Sequence, residues 1–160
     1  MLQGSSINKV EVIKKYYRSG ALRREIPCVN GTTHGIEKDY FESGALRSET
    51  PCVNGERHGI RKEYYVSGAL WSETPYVNGK EHGIEKGYYE SGALEREIPY
   101  VNGKMQGIVK WYYTSGALWD ETPYVNGMRH GIERGYDKEK TSISCLTLYD
   151  RDREVAFVKI

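Results

Sequence analysis

Apolar and polar positions alternate in short runs along this chain and never settle into a helical stripe. Ile84 to Tyr89 and Leu94 to Val101 are typical runs, with Ser-Gly at 91–92 between them and Asn-Gly at 102–103 after the second. A helix would need apolar residues three and four apart, and no such spacing is sustained. Asn-Gly is the strongest short hairpin signal, because both central residues of a type I′ turn take positive φ. The pattern therefore predicts pairs of short antiparallel strands joined by alternating turns.

The same pattern recurs. Ser-Gly-Ala-Leu begins at Ser19, Ser43, Ser67, Ser91 and Ser115, and Val-Asn-Gly at Val29, Val53, Val77, Val101 and Val125, both in steps of 24. Five copies of the unit run over 10–33, 34–57, 58–81, 82–105 and 106–129. A sixth starts at His130 and decays after Tyr136; the first opens with Val10-Glu11-Val12 where the others have His-Gly-Ile or a close variant. The expected fold is all-β: one elongated single antiparallel sheet, a meander of about 11–13 strands spanning about 55 Å. The expected organisation is a lead-in over 1–9, the array over 10–136 and a capping or interaction hairpin over 137–160.

Centring a hairpin on Ser91-Gly92 sets a register. It places Lys86 opposite Glu97, Tyr88 opposite Glu95 and Tyr89 opposite Leu94. Carried to other copies, it pairs Tyr64 with Trp71, Tyr112 with Trp119, Tyr16 with Arg23 and Tyr40 with Arg47. The column Lys14, Lys38, Lys62, Lys86 and Lys110 then faces the column Glu25, Glu49, Glu73, Glu97 and Glu121. Opposite charges at facing positions support a sheet without any ligand, so these ten residues read as a structural ladder.

The motif Y-Y-x-S-G-A-L followed by Y-V-N-G-K-x-H-G-I, clearest over 76–107, resembles the bacterial variant of the MORN repeat. The resemblance covers residues 10–136. It implies an elongated, twisted antiparallel sheet with one hairpin per repeat and no catalytic activity. It also implies a role in scaffolding, protein contacts or membrane association, and some members of the variant family carry the label of antitoxin components. The chain lacks the Gly-x-Gly of the eukaryotic pattern after its His-Gly, which lends a phosphoinositide role little support.

Composition narrows the function further. The 23 Lys and Arg against 22 Asp and Glu leave a net charge of +1, not the basic excess of a bulk nucleic-acid binder. Fourteen Tyr and three Trp are too many aromatics for a disordered chain. No apolar stretch reaches membrane-helix length, Met1 to Val10 lacks signal-peptide order, and three scattered cysteines (Cys28, Cys52, Cys145) do not make a disulfide framework. These features favour a reducing, cytoplasmic setting.

Candidate chemistry is sparse. His34, His58, His82 and His130 share a column, but equivalent residues two strands apart are about 9.5 Å from one another, too far to converge on one ion. Identical copies build identical shallow surfaces, whereas catalysis needs one unlike, concave constellation. No enzyme, metal or cofactor is expected. The expected activity is that of a protein-protein interaction scaffold or binder, with neutralisation of a toxin or effector as one form. Tyr64, Trp71, Trp111, Tyr112, Trp119, Arg23 and Arg47 are the candidate partner-binding residues, because Tyr, Trp and Arg commonly anchor interfaces. The apolar tail 143–160 is the candidate for self-association. Peripheral binding to an anionic membrane is the alternative suggested by the lysine column, weakened by its matched glutamates. Stacking of single-stranded nucleic acid on Tyr and Trp is weaker still.

Overall fold

The protein is described here by a computed structural model covering residues 8–139 and 142–160. Residues 1–7 of the expected lead-in, and Lys140 and Thr141 of the tail, lie outside the described residues. The chain forms a single open antiparallel sheet of eighteen strand segments, with no helix among the described residues. Each long strand pairs with the next in sequence, so the sheet is a plain meander from β1 (Val10–Tyr16) to β18 (Arg153–Lys159). The accessible surface is 10393 Å², against about 8,100 Å² for a compact monomer of this mass, as a one-layer ribbon requires.

The repeat at residues 80–103 shows how sequence makes this shape. Lys80–Glu81 and Gly83–Tyr88 are one strand broken at His82. The break answers Pro75 on the neighbouring strand, Leu70–Val77. Proline cannot donate to a ladder, so a mid-strand proline demands an irregularity. Here the Pro75 carbonyl accepts the His82 N–H at 2.9 Å, and Gly83 turns to φ 115. A Cβ on Gly83 would sit 3.0 Å from the Pro75 ring, so only glycine fits there.

The two turn types differ. Val101 faces Lys104 across Asn102 (φ 51) and Gly103 (φ 81), the expected type I′ geometry. At the other end, Tyr89 and Ala93 close a three-residue loop: the Tyr89 N–H donates to the Ala93 carbonyl, and the Gly92 N–H donates to the Tyr89 carbonyl. Tyr88 therefore faces Leu94. Glu95 is then an extra residue, a bulge, before Gly87 meets Arg96 and Lys86 meets Glu97.

This corrects part of the expected register. Lys86 does face Glu97, but Tyr88 does not face Glu95, nor Tyr89 Leu94. The same bulge recurs, so Tyr64 faces Leu70 rather than Trp71, and Tyr112 faces Leu118 rather than Trp119. Likewise Tyr16 and Tyr40 face Leu22 and Leu46, not Arg23 and Arg47. A symmetric two-residue turn keeps one register throughout. The three-residue loop plus bulge shifts it by one beside the turn and restores it beyond.

Alternation divides the sheet into two unlike faces. The ladder face carries Lys86, Glu97, Tyr88, Ile84 and Val101 and their equivalents. It is open: Ile84 is 52% and Val101 45% exposed. The other face is enclosed: Ser72 is 2% and Val109 4% exposed, and Thr50, Thr74 and Thr122 are buried. In a single-layer sheet that burial arises only from neighbours crowding over one face, which makes it a furrow. The core is small and partly polar, and threonine and serine in it are served by carboxylates across the strands. Thr74 donates to Glu85 and Ser72 to Glu63.

Candidate partner-binding surface

On the ladder face, the lysine and glutamate columns do pair. Lys14–Glu25 stand at 3.1 Å, Lys38–Glu49 and Lys62–Glu73 at 3.6 Å, and Lys110–Glu121 at 3.7 Å; Lys86 is in register with Glu97. A third column joins them. The Tyr40 hydroxyl donates to Glu25, Tyr64 to Glu49, Tyr88 to Glu73, Tyr112 to Glu97 and Tyr136 to Glu121. Each glutamate thus receives a phenol from the following repeat, which stitches repeats together. Burial, and then the bond to Glu97, pushes the Tyr112 phenol up to about 12. Tyr40, Tyr64, Tyr88 and Tyr136 are raised for the same leading reason. Of the expected partner-binding residues, Tyr64 and Tyr112 take part in this stitching, half-buried on the ladder face.

The second tyrosine of each Tyr-Tyr pair makes another link that sequence reasoning missed. Tyr17 donates to the Tyr40 carbonyl at 2.7 Å, Tyr65 to that of Tyr88 at 2.9 Å, Tyr89 to that of Tyr112 at 2.6 Å and Tyr113 to that of Tyr136 at 3.1 Å. Its only trace in the sequence is the near-invariance of Tyr at this column, with Phe41 as the exception.

The furrow face gathers what varies. The bulge residues Arg23, Arg47, Trp71, Glu95 and Trp119 stand beside it; three of them meet the second aromatic rather than the first, while Trp71 and Glu95 meet Arg96. Arg23 lies over Tyr17 at 5.8 Å, Arg47 over Phe41 at 5.9 Å, and Trp119 beside Tyr113 at 5.9 Å. Along the furrow floor, Arg24 pairs with Asp39 at 2.5 Å and Glu37 at 3.5 Å, Arg61 with Glu63 at 2.6 Å, and Arg96 with Glu85 at 3.1 Å. Arg96 also lies between Trp71 and Trp111, at 5.6 and 5.9 Å. So Trp71, Trp111, Trp119, Arg23 and Arg47 come together along one face, away from Tyr64 and Tyr112.

The repeat is the deciding feature. The family model described as the MORN repeat variant matches residues 33–54, 57–78, 81–102 and 105–126, four consecutive copies covering more than half the chain. The chain belongs to the MORN repeat variant family. MORN repeat proteins of this kind are generally non-catalytic binding modules. No curated protein sequence matches the chain.

The MORN hairpins leave the histidine column in the backbone pattern. His34, His58, His82 and His130 give their N–H groups to the carbonyls of Pro27, Pro51, Pro75 and Pro123. Among the described residues no group of three or more His, Cys, Asp or Glu is placed to hold a metal ion. Cys28, Cys52 and Cys145 are free thiols, the first two buried.

Proposed function

We propose that this MORN repeat protein is a non-enzymatic scaffold that binds a protein partner along its furrow, in a reducing, cytoplasmic setting. The observation that supports the reading is the division of labour between faces. The constant lysine, glutamate and first-tyrosine columns, which pair and stitch the repeats, lie on the ladder face. Columns that change from repeat to repeat, including three tryptophans and the bulge residues, lie along the furrow. A surface that repeats exactly offers one contact many times, whereas one that varies can specify a partner. Neutralisation of a toxin or effector is one use of such a surface. Trp71→Ala with Trp119→Ala tests the reading, with each protein as bait in affinity capture from the native cell and mass spectrometry. The variant should lose a partner retained by the parent while its melting temperature falls by only a few degrees. Equal capture by both removes the furrow assignment.

A second reading is favoured by one observation on the opposite face. Ile36, Ile60, Ile84 and Ile108 form an exposed stripe (47–52%) beside the lysine column, with Val53, Val77 and Val101 parallel to it. An apolar stripe beside cations suits a peripheral anionic membrane. The paired glutamates cancel most of that field beyond about 8 Å. Absence of pelleting with anionic liposomes at low salt eliminates this reading.

Self-association through 143–160 remains the expected assembly mode. The strand Arg153–Lys159 is the sheet's last, and Val155, Phe157, Val158 and Ile160 are all exposed along it. Such an edge pairs readily with another strand.

A further inference from the structure

Arg96 occupies a niche built from its own chain. Its guanidinium meets Glu85 at 3.1 Å and Glu95 at 2.8 Å and lies over the rings of Trp71 and Trp111. Gly87 faces it, and a Cβ there would come within 2.4 Å of the guanidinium, so glycine makes the room. Two repeats further on, part of this niche is built again, with Lys159 facing Cys145 where Trp111 faces Arg96. Trp119 stands for Trp71, Glu133 for Glu85 and Gly135 for Gly87, each displaced by 48 residues. The residue facing Gly135 is Cys145, so a short thiol stands where the arginine does in the earlier copy. What results is a cavity of about 600 Å³, walled by Trp111, Tyr113 and Trp119 and floored by Asp120 and Glu133.

We propose that this cavity binds an arginine side chain presented by a partner protein. The inference rests on the protein-binding reading above and names the chemistry of one contact within it. Elsewhere on the furrow floor the carboxylates have an arginine of their own: Asp39 and Glu37 have Arg24, Glu63 has Arg61, and Glu85 has Arg96. Among the described residues no ion pair reaches Asp120 or Glu133. Both receive the hydroxyl of Thr122, at 2.6 and 3.2 Å. A hydroxyl has one hydrogen and serves one acceptor at a time, so Thr122 supplies one hydrogen for two carboxylates. Burial raises both acids from their ordinary values, and the charge of Asp120 raises Glu133 further, against the opposing Thr122 bond and Arg129 charge. A guanidinium between them would satisfy both and stack on the Trp119 indole as Arg96 does on that of Trp71.

Among the described residues, the neighbouring cations are otherwise placed. Arg129 lies over Tyr149 at 4.1 Å and pairs with Asp152 at 3.6 Å. Lys138 is exposed at the rim, 5.9 Å from the Tyr113 ring. Lys159 faces Cys145 from the exposed edge strand. Neither lysine brings the planar fork that two carboxylates and an indole accommodate.

The test is a titration of the full chain with N-acetyl-arginine N-methylamide, and with the uncharged citrulline analogue, following the Trp119 indole resonance by NMR. Saturable arginine binding with a dissociation constant on the order of 1–10 mM is expected, with citrulline weaker by about tenfold or more. Glu133→Gln keeps the shape and the Thr122 partner, and should weaken binding similarly. Cys145→Arg rebuilds the internal arginine and should abolish binding while the far-UV CD is unchanged. Lys138→Ala should leave binding equal or tighter. Equal affinity for citrulline, no saturation, or undiminished binding by Glu133→Gln overturns the arginine assignment. None of these results bears on capture through Trp71, so the scaffold reading stands or falls separately.

Discussion

Phe41→Tyr should stabilise the protein. Four second-position tyrosines give a hydroxyl to a backbone carbonyl one repeat ahead, at 2.6–3.1 Å. Phe41 occupies the same column, half-buried and under the Arg47 guanidinium, with no hydroxyl to give. The equivalent acceptor is the carbonyl of Tyr64. Adding the phenol oxygen requires no new backbone geometry, because every neighbouring repeat already accommodates it. A net hydrogen bond of this kind contributes about 0.5–1.5 kcal/mol. For a chain of this size, 1 kcal/mol corresponds to a melting shift of about 2–4 °C. The cation over the ring should be retained, since tyrosine presents the same face. Thermal unfolding followed by far-UV CD, with urea unfolding alongside, measures the shift; Tyr89→Phe supplies the reverse change and should lower stability by a similar amount. In an array, nearest-neighbour coupling confines the effect, so amide exchange should slow most in residues 40–70. If Phe41→Tyr fails to raise the midpoint and Tyr89→Phe fails to lower it, the inter-repeat phenol is a contact without energetic weight.

Other expectations concern pH, turns and the edge. A phenol whose folded pKa exceeds its unfolded value of 10 adds stability that is complete below pH 10 and lost as pH rises through the folded value; Tyr112, at about 12, sets the window. Stability should thus fall between about pH 10 and 12, and Tyr112→Phe should flatten that fall in urea titrations at stepped pH. Gly83→Ala meets both φ 115 and the Pro75 ring, and should destabilise by more than about 1 kcal/mol in the same assay. Arg151 takes φ 49 where the other I′ turns have asparagine, so Arg151→Asn should stabilise by about 0.5–1 kcal/mol. Deleting 143–160 should change the oligomeric state seen by light scattering, either to monomer or to aggregate; an unchanged soluble state makes the tail neither cap nor interface.

The repeat made the strands, the Asn-Gly turns and the Lys–Glu ladder legible before any coordinates. All three follow from periodicity and from residue types that allow one conformation. The Ser-Gly end was misread because Ser91-Gly92 resembles a two-residue turn. Gly92 is instead the αL residue closing a three-residue loop, and the bulge at Glu95 follows from it. That single residue decides that Trp119 meets Tyr113 and Trp71 meets Arg96, and hence which face they serve. The Cys145 niche was less accessible still. Seeing it requires aligning Gly135 with Gly87 across the tail, where the loop is one residue longer and the 24-residue period no longer holds.

The central claim is that the varying furrow, not the constant face, engages a partner. Affinity capture from the native cell, with three baits in parallel, tests it most directly. One bait is the parent chain, one carries Trp71→Ala with Trp119→Ala, and one carries Ile60→Thr with Ile84→Thr on the opposite, exposed stripe. The account predicts that a protein retained by the parent is also retained by the isoleucine variant and lost by the tryptophan variant. Loss with the isoleucine variant and retention by the tryptophan variant would contradict it.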